Sequence, residues 1–224
     1  MNEAITWRYL PFGEAALLLE GMPATPLVNR YVLALADELA REALPGMTTA
    51  TPAISSLLVS FDPLVLAFDV LHAHLEALLA RTQPAPEIPA RIVEISVQFG
   101  GAAGPDLEDV AQLLGLSSNE IVALLCGSAL RVMMIGFTPG YPYIGPLPEQ
   151  LHVPRRSTPR AAVPPGSVAI AAGLAGIYPA KLPGGWHLVG RTDVRLFDPA
   201  AAPPSLLFAG DGVQFTPLPA GILP

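Results

Sequence analysis

From Arg131 onward the chain cannot run in long helices. Ten prolines and nine glycines fall between residues 131 and 195, and a proline inside a helix removes a hydrogen bond and collides with the preceding turn. What remains are short apolar runs cut by turn residues, which is the pattern of a β-barrel or sandwich. Hydrophobic residues nevertheless make up 51% of the 224 residues, so the segment is part of a folded, turn-rich chain and not a disordered one. That length buries a core without disulfides or a structural metal. There is no internal repeat and no low-complexity segment.

The first 99 residues are patterned differently. Trp7 to Glu20 reads as extended segments broken at Pro11 and Gly13. Thr25-Pro26 supplies an N-cap and a first-turn proline for a helix reaching about Glu42. Met47 to Ala53 and Ile54 to Phe61 read as strands. Asp62-Pro63 is expected to cap a second helix whose Leu64, Phe68, Leu71, Leu75 and Leu78 follow helical spacing. After a proline-rich linker, Arg91 to Phe99 alternates with Val93, Ile95, Val97 and Phe99 on one face. The order β-α-β-β-α-β is that of a ferredoxin-like split unit. Asp106 to Leu114 and Ser118 to Leu125 read as two short helices with Asp or Ser near each start. The expectation is an α+β chain with an N-terminal α/β domain (1–90), a connecting strand and helices (91–130) and a β-barrel domain (131–224).

The formal charge is −7, which argues against a nucleic-acid binder. The charge is unevenly spread: Arg131, Arg155, Arg156, Arg160, Lys181, Arg191 and Arg195 face only Glu149 and Asp193 between residues 131 and 195. Eleven of the twelve basic residues are arginine, whose planar fork suits carboxylate or phosphate. The basic segment holds an anionic ligand or an acidic partner, or its arginines pair with acids of the N-terminal half.

A mean hydropathy of +0.47 raises the question of a membrane span. Ala161 to Ala180 is uncharged but interrupted by Pro164, Pro165, Pro179, Gly166, Gly173 and Gly176, and Ile121 to Leu130 is closed by Arg131, so no span is expected. The lone Cys126 has no partner for an internal bridge, and the opening MNEAITWRYL has neither a basic nor an apolar leader region. Both point to the cytoplasm.

Several motifs of the basic segment make sense as one pocket. Thr138-Pro139-Gly140 and Gly184-Gly185 let backbone approach a ligand closely. Arg155, Arg156, Arg160 and Arg191 can clamp a carboxylate or phosphate. Phe137, Tyr143, Tyr178 and Trp186 offer flat walls, the last three with a polar edge. The glycines and prolines also read as barrel turns, and Trp186 also reads as core. His72 and His74 lie two apart on a helix and so cannot share a metal; His152 and His187 are single histidines that read as structural or as an acid or base. Cys126 sits among apolar residues, as an inert thiol does. Ser157 and Ser167 lack the context of a nucleophile elbow. No metal set, Walker motif or dinucleotide fingerprint is present.

The stretches GFTPGYPYIG (136–145), VPRRSTPR (153–160), VPPGSVAIA (163–171), GIYP (176–179) and PGGWHLVGRTDVRLFDP (183–199) resemble, in order and spacing, the kinase-inhibitor/allophanate-hydrolase-subunit-1 family. PFGEAALLLE and VQFGGAAGPDLEDVA extend the likeness over nearly the whole chain. The resemblance implies a small N-terminal α/β domain and a C-terminal cyclophilin-like β-barrel. It also implies the smaller subunit of an ATP-dependent 5-oxoprolinase-type complex that cleaves 5-oxoproline to glutamate, working with a larger homologous subunit and a third subunit on a small carboxylate. Other members imply a non-catalytic regulator of a histidine kinase, or a carboxyltransferase-like module of urea carboxylase and allophanate metabolism. ATP would then sit in a site shared with a partner. Where the family usually carries histidine, hydroxyl residue and two tyrosines, this chain has Leu125, Cys126, Leu130 and Met133. The usual glutamine-threonine pair is Leu174-Ala175. If those positions line the pocket, the substrate is less polar or the chemistry has been lost, and no catalytic residue is assigned.

Overall fold

The computed structural model describes residues 4–219, in two compact units, Met1–Glu87 and Ile88–Pro224. The first contains β1 (Thr6–Pro11), β2 (Ala16–Met22), α1 (Pro26–Glu42), β3 (Met47–Pro52), β4 (Ser56–Phe61) and α2 (Phe68–Arg81). Its antiparallel sheet has the order β1-β2-β4-β3. Alternate strand residues share a face, so Leu17 and Leu19 of β2 join Leu57, Val59 and Phe61 of β4. They meet Val28, Val32, Leu35 and Leu39 of α1 and Leu71, Leu75 and Leu78 of α2 in one core. Helix α1 starts where its sequence says: the Thr25 hydroxyl accepts from the Val28 N–H at 3.2 Å, ahead of Pro26. Helix α2 starts later than expected. Asp62 closes a separate turn through Leu64 N–H at 2.9 Å, which leaves Leu64 exposed and outside the helix's apolar face.

The second unit is built on β5 (Ile92–Phe99), α3 (Leu107–Leu114), α4 (Ser118–Gly127), β6 (Leu130–Ile135), β7 (Pro142–Gly145), β8 (Arg160–Val163), β9 (Ser167–Ala171), β10 (Leu174–Ile177), β11 (Leu182–Gly184), β12 (His187–Arg191) and β13 (Gly212–Pro217). Seven strands close a barrel in the order β10-β7-β6-β13-β5-β12-β9, and β9 pairs back onto β10. Strands β8 and β11 form a separate two-stranded ribbon. Ile95, Val132, Ile144, Val168, Ile170, Ile177, Val189 and Phe215 fill the barrel core, and Leu107, Val110, Ile121 and Leu125 of the two helices belong to the same cluster. Helix α4 opens on a capping box in which Glu120 N–H donates to the Ser117 hydroxyl and Ser117 N–H donates to the Glu120 carboxylate.

The chain is thus α+β, an α/β unit followed by a closed barrel. The expected strand order of the first unit changes, because Trp7 to Glu20 makes two strands and the strand at residues 91 to 99 joins the barrel, giving β-β-α-β-β-α. Alternation identifies a half-buried strand but not the sheet that receives it. Here β5 pairs in parallel with β13, from Ile92 opposite Gly212 to Val97 opposite Pro217. For the same reason residues 91–130 are not a connector: their strand is a barrel stave and their helices pack on the barrel's core.

Candidate functional site

Strand β9 is buried on both faces. Val168 and Ile170 point into the barrel, while Ala169 and Ala171 point outward into a second cluster with Tyr141, Tyr178, Trp186 and Leu188. Alanine is what such a strand needs where bulky rings lie against its outer face. The ribbon β8–β11 covers this cluster through Val163 and Leu182. Tyr141 is at its centre, edge-on to Tyr178 at 5.2 Å, Trp186 at 6.3 Å and Phe137 at 5.5 Å between ring centroids, and tilted against Tyr143 at 5.1 Å. Above these rings lies a cleft of about 300 Å³, lined by Phe137, Tyr141, Tyr143, Tyr178 and Trp186 together with Arg155, Arg156, Pro159, Pro183, Gly184 and Gly185.

Two glycines make room for the two tyrosine hydroxyls. A Cβ on Gly176 would lie 2.3 Å from the Tyr141 oxygen, and one on Gly184 would lie 2.1 Å from the Tyr178 oxygen. The Tyr141 and Tyr178 hydroxyls are hydrogen-bonded to each other, and two hydroxyls sharing one bond have one proton left over between them. Burial pushes the Tyr141 hydroxyl up, and the neighbouring tyrosines add to the effect. Burial also pushes Tyr178 up, against the opposing charges of Arg160 and Arg155. Both hydroxyls therefore stay protonated at neutral pH.

The four candidate arginines separate. Arg155 is exposed, lines the cleft, and has no ion-pair partner among the described residues. Arg156 also lines it, with one Nη donating to Asp106 at 3.2 Å and its main-chain N–H donating to Gly185 O at 2.7 Å. Arg160 does not line the cleft. Its two Nη atoms grip Asp106 at 2.7 and 2.8 Å. Arg191, on β12, also lies outside the cleft. Two of the four thus answer to an acid within the fold, and the residue that sequence reasoning misses is Asp106. Its position at the start of α3 suggests a cap, but its side chain makes no cap hydrogen bond.

Of the GFTPG loop only Phe137 reaches the cleft. It is 60% exposed and holds φ +66°, a region costly for a bulky residue. Thr138 and Pro139 form the turn beneath it, with Tyr141 N–H donating to Thr138 O at 3.1 Å. Gly140, at φ +77°, is required where a Cβ would lie 2.7 Å from Phe197. Trp186 is core and wall at once, almost buried and yet lining the cleft.

The apolar exchanges at family positions do not line this cleft. Leu125, Leu130 and Ala175 are fully buried in the barrel core, Met133 is buried, and Cys126 and Leu174 are half-buried against the two clusters of this unit. They therefore do not make the cleft less polar. Burial pushes the Cys126 thiol up, away from a reactive thiolate. The histidines lie elsewhere: His74 on Glu42 at 2.7 Å, His72 edge-on to Tyr9, His152 on Leu147 O at 3.0 Å and His187 on Pro154 O at 3.0 Å. Among the described residues no three His, Cys, Asp or Glu side chains are grouped to hold a metal ion. No single helix among them is long and apolar enough to cross a membrane.

The model of the family described as "Carboxyltransferase domain, subdomain C and D" matches residues 7–207. The chain is 42% identical to a 5-oxoprolinase subunit of Escherichia coli O157:H7, over 94% of this chain and 95% of that protein. Among solved structures, TTHA0988 is 36% identical with a TM-score of 0.80 over 94% of this chain, which spans 41% of that longer one. The urea carboxylase of Kluyveromyces lactis, 19% identical with a TM-score of 0.76 over 95% of this chain and 22% of its own length, shares the fold. A family match running from β1 to the last turns before β13, on a barrel whose outer face carries the motif-bearing cleft, establishes that this chain belongs to the family of carboxyltransferase domains of subdomain C and D type.

Proposed function

We propose that this chain is the smaller subunit of a 5-oxoprolinase complex, working with a larger homologous subunit and a third subunit in opening 5-oxoproline to glutamate. The observation that carries this reading is the 42% identity, nearly end to end, with a protein named as a subunit of that enzyme. The cleft supports it. 5-Oxoproline is a small ring bearing one carboxylate and one amide carbonyl. In this reading Arg155 takes the carboxylate with its unspent N–H groups, Arg156 adds a second guanidinium, and the ring lies among Tyr143, Trp186 and Phe137. The proton left over from the Tyr141–Tyr178 pair is available to a carbonyl oxygen.

The same reading brings ATP, and the residues of the cleft do not fit a nucleoside triphosphate. The cleft's volume suits a small ring, one of its two guanidinium groups is already tied to Asp106, and no helix start contributes main-chain N–H groups to its walls. We place triphosphate binding outside this cleft, on or shared with a partner subunit. The test is co-expression with the two other subunits and measurement of 5-oxoproline-dependent ADP release. Release is expected only when all three are present. Full activity without this chain would overturn the reading, as would recovery of a sensor kinase, and no larger subunit, with the chain at native expression.

A further inference from the structure

Asp106 is buried at the start of α3, yet its side chain makes no hydrogen bond to cap that helix. Its Oδ1 accepts from Arg160 Nη2 at 2.7 Å and Arg156 Nη1 at 3.2 Å. Its Oδ2 accepts from Arg160 Nη1 at 2.8 Å and the Leu188 N–H at 2.7 Å. Its own N–H donates to Leu188 O at 2.9 Å. A carboxylate offers about four acceptor positions, and all are used.

The two arginines stand differently toward it. Arg160 is bidentate and by itself balances the carboxylate's charge, so the bond from Arg156 is not needed for neutrality, although its charge also favours the ionised carboxylate. What that bond supplies is orientation. Arg156 lies on the irregular segment between His152 and Arg160. That backbone is tied by Arg156 N–H to Gly185 O at 2.7 Å and by His187 to Pro154 O at 3.0 Å. Neither tie reaches the guanidinium. Only the Asp106 bond holds the end of this long, rotatable side chain; Arg156 Nε is buried without an acceptor, and Nη2 has none among the described residues. Arg156, Arg160 and Asp106 together carry one positive charge in excess, beside the free charge of Arg155.

We propose that Asp106 is the positioning residue for anion recognition in the cleft: it anchors one Nη of Arg156 so that the other Nη meets a ligand carboxylate alongside Arg155. The choice of ligand rests on the 5-oxoprolinase reading, whereas the anchoring does not. An anchored fork loses less side-chain freedom when the ligand arrives.

Two experiments test this. In the reconstituted complex with 5-oxoproline as substrate, Arg156→Ala is expected to raise KM about 10- to 100-fold, the scale of a lost hydrogen bond to a charged group. Asp106→Asn should raise KM to a similar degree with kcat much less changed, and Asp106→Asn combined with Arg156→Ala should be no worse than Arg156→Ala alone. Multiplying effects in the double variant would overturn the proposal and make Asp106 a support of the fold only. The second experiment needs neither turnover nor an Asp106 variant that folds. In the wild-type chain, nitrogen-15 NMR of the arginine side chains, assigned with Arg156→Lys, should show resolved, slowly rotating Nη groups for Arg156 as for Arg160. A single averaged Nη signal from Arg156 would overturn the anchoring. A wild-type complex that turns over no 5-oxoproline, with the Arg156 signals resolved, would instead sink the 5-oxoprolinase reading and leave the anchoring in place.

Discussion

Gly184 and Gly185 are neighbours in the chain with opposite surroundings. A methyl group on Gly184 would strike the Tyr178 oxygen at 2.1 Å, while one on Gly185 would meet nothing nearer than Pro159 at 3.7 Å. Gly184→Ala is therefore expected to cost about 1–3 kcal/mol, as overpacking does, and Gly185→Ala to stay within about 0.5 kcal/mol. Urea midpoints for the two variants check this, and equal midpoints would contradict the packing described. Arg155 and Arg191 form a second pair of opposites. In the assembled complex Arg155→Ala should raise KM for 5-oxoproline about 10- to 100-fold without shifting the melting temperature. Arg191→Ala, outside the cleft, should leave KM unchanged. At this scale the sequence is only half legible. The aromatic rings, the glycine pair and Arg155–Arg156 can be read as one pocket from their types and spacing. The division of four chemically identical arginines cannot, because it depends on Asp106, some fifty residues away in the chain.

At the scale of elements, the node formed by α3, β8 and β12 on Asp106 has a pH signature. Burial works against ionisation of Asp106, but the Arg160 hydrogen bonds, the Leu188 N–H and the charges of Arg160 and Arg156 outweigh it and hold the carboxyl below the ordinary range. A group depressed in the folded state contributes stability that is fully present above its unfolded pKa, about 3.9 for aspartate, and lost as pH falls through the lower folded value. The expected outcome is a melting temperature insensitive to this group near neutrality and falling on the acid side, with Asp106→Asn less stable at neutral pH and the gap closing in acid. A gap that is constant from neutral pH to about pH 2 would show that the carboxylate's charge is not what holds the node. Elements whose signals are local are legible: the Thr25-Pro26 start of α1, the Ser117 start of α4, the turn-cut strands of the barrel. Strand β5 is legible as a strand and not as a stave, since its partner β13 lies more than a hundred residues further on.

For the whole molecule, the two units have separate cores, and each holds one of the chain's two tryptophans. Trp7 packs against the first core and Trp186 belongs to the aromatic cluster of the second. Trp7→Phe and Trp186→Phe variants therefore report on one unit each, and their denaturant transitions are expected at different midpoints. Coincident midpoints would mean that the units unfold as one.

The parallel pairing of β5 with β13 also dictates an order of events. Strand β13 lies between β5 and β6 in the barrel, yet it is synthesised after every other stave. A nascent chain lacking it holds the two flanking strands with unpaired edges for the whole time needed to make the intervening residues, while the first unit already has all its own strands. Unpaired strand edges attract other chains. Truncation just before Gly212 should accordingly yield a chain that aggregates through its barrel half, and the interval before β13 emerges is when a growing polypeptide of this kind has most need of a chaperone.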